Sequence, residues 1–417
     1  MMKMHLPVRS LSGARLVAVV CAAQVLVQIG AFFWPALLPT MMPLWGLTNS
    51  EAGWVTAIFY AAYLVAVPIL VTLTDRIDAK LVYLFGVGCT LAGHLLFGMF
   101  ADGFWSALAT RALTGIGWAG TYMTGLKLLA DQVDAKLMSR AVTGHAASIG
   151  ISGALSFSCA GLLADLYGWR SAFLVAALSA GVAWSIAALS VPRRKPLAPP
   201  SGDGPGLFDF RPVLRNRSAM AYALAYCIHT LEMNALRGWG VAFLAYVAIS
   251  TGTGETQLAP TLVVTLLGLI GTAASVLGNE TAIRWGRRKL IGLAMMASIV
   301  VGGSIGFLGT ASYPVAVVLL LLYGFVVWLD SSSLTAGTAG TAEPSRRGAT
   351  LAVHSMLGYA GGFVGPLMIG FTLDLAGGMS RIAWGAAFLV VAILMLLALA
   401  AFWLIRPREL AGDRGEP

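Results

Sequence analysis

The chain has 417 residues, 58% of them hydrophobic and only 11% charged, with a mean hydropathy of +0.82. Soluble domains average about 25% charged residues, so this composition excludes an ordinary soluble enzyme. The formal net charge of +9 finds no soluble domain whose basic face would suit a nucleic acid. In chain order, apolar stretches cover 14–40, 51–73, 81–102, 105–129, 140–165 and 171–190, then 218–246, 259–282, 290–309, 314–340, 348–375 and 382–405. Each is long enough to cross a hydrocarbon core of about 30 Å as a helix. Without water to satisfy the backbone, helices of this length are the spanning solution, so the fold class is an all-α polytopic membrane protein with twelve transmembrane helices.

The first span follows a basic start, as in a signal peptide, but its apolar run exceeds twenty residues with no clear cleavage site before Pro35. It is therefore expected to remain as an uncleaved span. Numbered with the N-terminus inside, the spans leave 22 of the 27 Lys and Arg in cytoplasmic segments, among them Lys3, Arg9, Lys195, Arg287, Arg288 and Arg414. Such an excess sets orientation and predicts a plasma-membrane protein, a bacterial inner membrane being the natural setting, with both termini cytoplasmic. Four cysteines, Cys21, Cys89, Cys159 and Cys227, lie singly in different spans with no metal-ligand spacing.

The longest polar stretch, 191–217, reads as a cytoplasmic linker between an N-terminal half, 1–190, and a C-terminal half, 218–417. A shift of 209 residues carries His145, Gly153, Gly161, Asp165 and Gly168 onto His354, Gly362, Gly370, Asp374 and Gly377, and Gly115 onto Gly324. A six-plus-six internal repeat follows, the usual build of secondary transporters.

Several loops carry a known signature. "LTDRIDAK" (73–80) resembles the loop motif of the major facilitator superfamily at Asp75, Arg76 and Lys80, with Val71 and Asp78 where that family prefers Gly. "NETAIRWGRRK" (279–289) is similar at Arg284, Gly286, Arg287 and Arg288; "RALTG" (111–115) and "LYGWRSAFL" (166–174) resemble further motifs of the same family. The resemblance implies two pseudo-symmetric six-helix bundles, with the first, fourth, seventh and tenth helices lining a central path. It names no substrate.

Charged residues inside spans are costly and face the bundle interior or a water path. "CIHTLEMNALRGWG" (227–240) sets His229, Glu232 and Arg237 in the seventh span; Arg111 lies in the fourth and Asp330 in the tenth. Glu232 and His229 are 60° apart, whereas Arg237 is about 140° from Glu232 at 100° per residue, so no bridge within the helix is expected. Gly238 and Gly240 are expected to loosen the helix and let Arg237 turn into a cavity.

The expected substrate-binding residues are Arg111, Arg237, Trp118, Tyr122, Gln28 and Trp34, with Gln24 nearby. Guanidinium groups suit an anionic substrate because they bind carboxylate with two parallel hydrogen bonds. Glu232, Asp330 and His229 are the expected proton-coupling groups. Asp75, Arg76, Asp134, Arg284 and Glu343 are expected to form a cytoplasmic gate, Asp75 by capping a neighbouring helix and the others as ion pairs. His145 and His354 are assigned to packing or the gate, and His94 to packing. The function that emerges is proton-coupled symport of a small anionic or polar metabolite by a monomer in the lipid bilayer, without cofactor, metal, enzymatic activity or nucleic-acid partner. The alternatives are a proton-antiport exporter of toxic compounds and a non-transporting sensor.

Overall fold

A computed structural model describes residues 13–194, 210–252 and 257–415. Lys3, Arg9, Lys195 and most of the linker therefore lie outside the described residues. Eight of the twelve spans are single long helices close to the expected limits: Asn49–Leu73, Ala79–Phe100, Phe104–Gln132, Ala135–Tyr167, Trp169–Ser190, Pro260–Trp285, Arg287–Leu308 and Arg381–Ile405. The eleventh, Arg347–Leu375, and the seventh, Arg217–Ser250, are also unbroken. Continuity of the seventh corrects one expectation: Gly238 and Gly240 do not loosen it, and both are buried in close contact with neighbouring spans.

The breaks occur in the first and tenth spans instead. The first runs Gly13–Gln28, unwinds, and resumes as Phe33–Ala36 and Leu38–Trp45. Pro35 explains part of this, because it has no N–H to offer the carbonyl four residues earlier, Ala31. The tenth runs Tyr313–Trp328 and Ser331–Thr341, interrupted at Leu329 and Asp330. Its bend presses the Leu329 carbonyl onto Gly278 of the eighth span, where no larger residue would fit.

Among the described residues, nine helices are both long and apolar enough to cross a membrane. The three spans that fall short are the first, fourth and seventh, which are broken or carry buried polar groups such as Arg111 and Glu232.

The apolar core is joined at one end and divided at the other. Near Asp374 it runs through both halves, from Phe33 and Trp34 to Trp239, Phe243 and Trp384. Near Asp78 it splits into a cluster around Leu16, Tyr83 and Leu128 and another around Tyr222, Ile291 and Phe402. Across the halves the second span packs on the eleventh and the fifth on the eighth. One pair of glycines that the 209-residue shift superposes serves these contacts: Gly161 faces Thr261 of the eighth span, and Gly370 faces the Asn49 carbonyl at the start of the second.

Candidate functional site

Between the two divided cores lies a cavity of about 350 Å³. Its walls come from the fourth, seventh and eleventh spans, the break of the first, and parts of the second, fifth and tenth. The seventh span supplies Tyr226, Thr230, Met233, Asn234 and Arg237, spaced 4, 7, 8 and 11 residues from the first, which at 100° per residue is one stripe. Aromatic rings dominate elsewhere, with Phe32, Phe59, Tyr60, Trp118, Tyr122 and Tyr359.

Arg237 is the charged residue in this wall, and no carboxylate lines it among the described residues. The guanidinium carbon lies 5.2 Å from the centroid of Phe32 and 4.8 Å from that of Trp328, so two ring faces hold it by cation–π attraction. None of the ion pairs among the described residues includes it.

Two hydrogen bonds cross the cavity between the halves. Tyr60 donates its hydroxyl to Asn234 Oδ1 at 2.7 Å, and Trp118 Nε1 donates to the Tyr359 hydroxyl at 3.1 Å. Asn234 Nδ2 donates in turn to the Thr230 carbonyl at 2.8 Å. Tyr359 also stacks on Tyr63, with centroids 3.5 Å apart.

Glu232 and His229 lie off the cavity stripe, correcting the expectation that they line the central path. Glu232 is 1% exposed, and its Oε1 accepts from Ser298 of the ninth span at 2.5 Å and from Tyr323 of the tenth at 2.7 Å. Its Oε2 has no hydrogen-bond partner among the described residues. His229 Nδ1 approaches Asp330 Oδ1 to 2.9 Å, an ion-pair distance without hydrogen-bond alignment. Asp330 thus stands at the break of the tenth span, in the interior of the C-terminal half, and does not line the cavity.

Arg111 also departs from expectation. It is buried outside the cavity wall, with its guanidinium over Phe59 at 4.7 Å, and Nη1 donates to the Ala31 carbonyl at 3.1 Å. That is the carbonyl Pro35 cannot serve, so Arg111 braces the unwound first span. Gln28 reaches Thr121 at 3.5 Å beside a void of only about 10 Å³. Trp34 is fully buried in the joined core and donates to Thr56 at 3.1 Å. Of the six expected substrate residues, Arg237, Trp118 and Tyr122 line the cavity and Arg111, Gln28 and Trp34 do not. Gln24 is buried near Tyr83, whose hydroxyl donates to it at 3.3 Å.

His354, assigned above to packing or a gate, lines the cavity, and its two ring nitrogens meet Thr335 and Thr338 at 3.2 and 3.1 Å. Its ring stacks on Tyr226 at 3.9 Å, and Tyr226 faces His229 on its other flank at 5.6 Å. His145 is buried, parallel to Tyr122. His94 packs on Phe173 and against Gly30. The sequence reading missed Tyr60, Tyr226, Asn234 and Tyr359; the regular stripe from Tyr226 to Arg237 was the signal available for two of them.

A family model described as Major Facilitator Superfamily matches residues 20–329 and 233–416. The chain belongs to the major facilitator superfamily. It is therefore a multi-pass membrane protein of a family of transporters, not of enzymes. Human protein spinster homolog 1 is 26% identical over 244 residues, which is 55% of this chain and 46% of that protein. The chain thus aligns with about half the length of that relative. The uncharacterized MFS-type transporter YbcL of Bacillus subtilis (strain 168) is 24% identical over 76% of this chain and 78% of its own. Among solved structures, a bacterial homolog to the human lysosomal transporter Spinster, inward-facing and unoccupied, superposes with a TM-score of 0.78 at 15% identity, covering 94% of this chain and 96% of its own. The nucleoside transporter NupG gives 0.71 at 15% identity over 94% and 99%. These likenesses establish the fold.

At the Asp78 end, the expected gate residues form no ion pair with one another among the described residues. Asp75, Arg76, Asp134, Arg284 and Glu343 take part in none of the ion pairs among the described residues. Helix capping falls to Asp78 in place of Asp75: it accepts from Lys80 N at 3.0 Å at the start of the third span and from Arg194 N at 3.1 Å. Lys80 donates to the Ala188 and Val191 carbonyls at 2.7 and 2.6 Å, closing the end of the sixth span. The opposite end is clamped. Asp374 accepts from the backbone N–H groups of Asn49 and Ser50 at 3.1 and 2.7 Å, and from their side chains at 2.7 and 2.5 Å.

Proposed function

We propose that this transporter carries a small anionic metabolite with an apolar or aromatic body, coupled to protons and moved by alternating access, with the Asp78 end facing the cytoplasm of a bacterial inner membrane. The observation that carries the reading is Arg237, a cation in the cavity wall with no carboxylate beside it. An unpaired guanidinium at this depth is costly, and an anionic ligand is the group that relieves it, with two parallel hydrogen bonds in reach of a carboxylate. The surrounding rings suit the apolar remainder of such a ligand.

The state described is open toward the Asp78 end, supported by the divided core on that side and the Asp374 clamp on the other. On this reading Asp75, Arg76, Asp134, Arg284 and Glu343 engage only in the opposite state. Glu232 holds the coupling proton on Oε2, the oxygen without a partner, and His229 and Asp330 share its environment. Because Glu232 ties the seventh span to the ninth and tenth, a change in its charge shifts the same helix that presents Arg237. The drug-export reading needs an acidic group facing the cavity, and no carboxylate among the described residues lines it.

Thermal stabilisation of the purified protein tests the reading. A ligand of the native state raises the midpoint by mass action, by about 2.7 kcal/mol of stability at 100 times its Kd. Stabilisation by a small carboxylate, lost in Arg237→Ala, is the expected result. Stabilisation by lipophilic cations that Arg237→Ala leaves intact would refute it.

A further inference from the structure

The chain after the twelfth span folds back onto the Asp78 end of the C-terminal half. The two acids in the described part of this segment, Glu409 and Asp413, are already engaged. Asp413 receives Arg287 through Nε and Nη2, each at 3.0 Å, and is 5% exposed. Glu409 accepts from Arg287 N at 2.9 Å and Arg288 Nε at 3.1 Å, capping the ninth span and neutralising Arg288. Tyr222 fixes the segment further by donating to the Arg408 carbonyl at 2.9 Å.

What this leaves is a pocket of about 520 Å³ between the ends of the ninth and twelfth spans. Its wall includes the paired Arg288 and Glu409 together with Lys289, Arg406 and Arg414, and these last three enter no ion pair among the described residues, so the wall carries a cationic excess. Arg406 at φ 50° and Arg414 at φ 68° are the two non-glycine residues with positive φ among the described residues. Arg406 takes this conformation as the left-handed cap that ends the twelfth span. Arg414 is accommodated by lying across Gly286, where a Cβ would meet its guanidinium.

Trp403 lines the same pocket with the Nε1 side of its indole beside Gly292, and tryptophan is enriched at the headgroup layer of a bilayer. From it an exposed apolar surface descends along both spans, with Leu293, Met296 and Val300 on one and Leu396 and Leu397 on the other.

From these observations we propose that the pocket binds the phosphodiester headgroup of an anionic glycerophospholipid, with its acyl chains on the surface below Trp403. Basic pockets between spans at a membrane face take such headgroups, and here the cationic site opens directly onto the lipid-facing side of two helices. A free phosphate shares the headgroup chemistry but has no use for that apolar surface. The site is distant from Arg237 and does not rest on the transport reading.

The test compares the full-length protein with its Arg406→Gln/Arg414→Gln variant in detergent, adding phosphatidylglycerol, phosphatidylcholine or inorganic phosphate. Thermal midpoints and lipid retained in native mass spectrometry are read together. Phosphatidylglycerol is expected to raise the wild-type midpoint by several degrees and remain bound, and the variant to lose at least half of both effects. In phosphatidylcholine the two proteins should match, which establishes that the variant folds. Should the variant prove unstable there, Arg406→Lys/Arg414→Lys takes its place and is expected to keep the retained lipid. Equal responses to the two lipids, an undiminished response in the glutamine variant, or an equal loss in Arg193→Gln/Arg194→Gln would each overturn the proposal. Full stabilisation by inorganic phosphate alone would overturn the lipid assignment.

Discussion

The seventh span presents two opposed polar faces, and they are built on different rules. On the cavity side Arg237 lies between ring faces with no anion, while Asn234 and Thr230 hold polar atoms at the wall. On the interior side Glu232 is met by two hydroxyl donors, and His229 approaches Asp330. One face carries a cation with no ion-pair partner among the described residues; the other is met almost wholly from within the protein. A single unbroken helix carries both, so on the proposed reading a change on one face reaches the other as rigid-body motion, without a relay of side chains through the cavity.

Arg237→Ala separates the faces most severely. It should reduce substrate affinity by about 10- to 100-fold, in keeping with roughly 1.5–3 kcal/mol for a hydrogen bond to a charged group. Equilibrium binding measures this, and the response of transport to pH should persist at saturating substrate. Glu232→Gln is expected to do the reverse. Wild-type uptake should rise as pH falls on the Asp374 side, whereas the variant should lose that dependence and still exchange bound substrate, with affinity changed no more than about 3-fold. A large affinity loss in Glu232→Gln would show that the two faces are one site.

A smaller effect is expected from Arg111→Leu, which removes the donor to the Ala31 carbonyl. Leaving a buried acceptor unsatisfied costs about 1–3 kcal/mol, to be read as a lower thermal midpoint, and a midpoint unchanged from wild type would remove Arg111 from its bracing role. Least of all, Tyr60→Phe deletes one cross-cavity hydrogen bond worth about 1 kcal/mol. Site-directed accessibility at the Asp374 end should detect the resulting shift toward the opposite state.

Much of this architecture was readable because bilayer thickness imposes a length on every helix. The limits of the spans could be drawn from hydropathy alone, and the cost of charge in hydrocarbon singled out Glu232, Arg237 and Asp330. The 140° between Glu232 and Arg237 was also available, but periodicity does not say which face meets a neighbour and which meets a void. The breaks were hidden because their cause is tertiary: Pro35 frees a carbonyl that Arg111 then serves, and Leu329 bends where Gly278 gives it room. Tyr60, Tyr226 and Tyr359 escaped notice because isolated tyrosines in apolar spans look like ordinary packing. Glu409 and Asp413 lie beyond the last span, and nothing in the sequence shows that the chain folds back to bring them onto Arg287 and Arg288.

The Tyr60–Asn234 and Trp118–Tyr359 bonds have a consequence for selectivity. Between substrates, the protein's own side chains occupy partners that a ligand would use, so the cavity competes with itself. An ion that reaches Arg237 without displacing these bonds leaves the two halves tied and gains little motion from its binding. A ligand broad enough to break both takes over their donors and acceptors and frees the halves to separate there. On the proposed reading, size and shape are thus checked by the same contacts that hold the resting state, and charge alone does not suffice for passage.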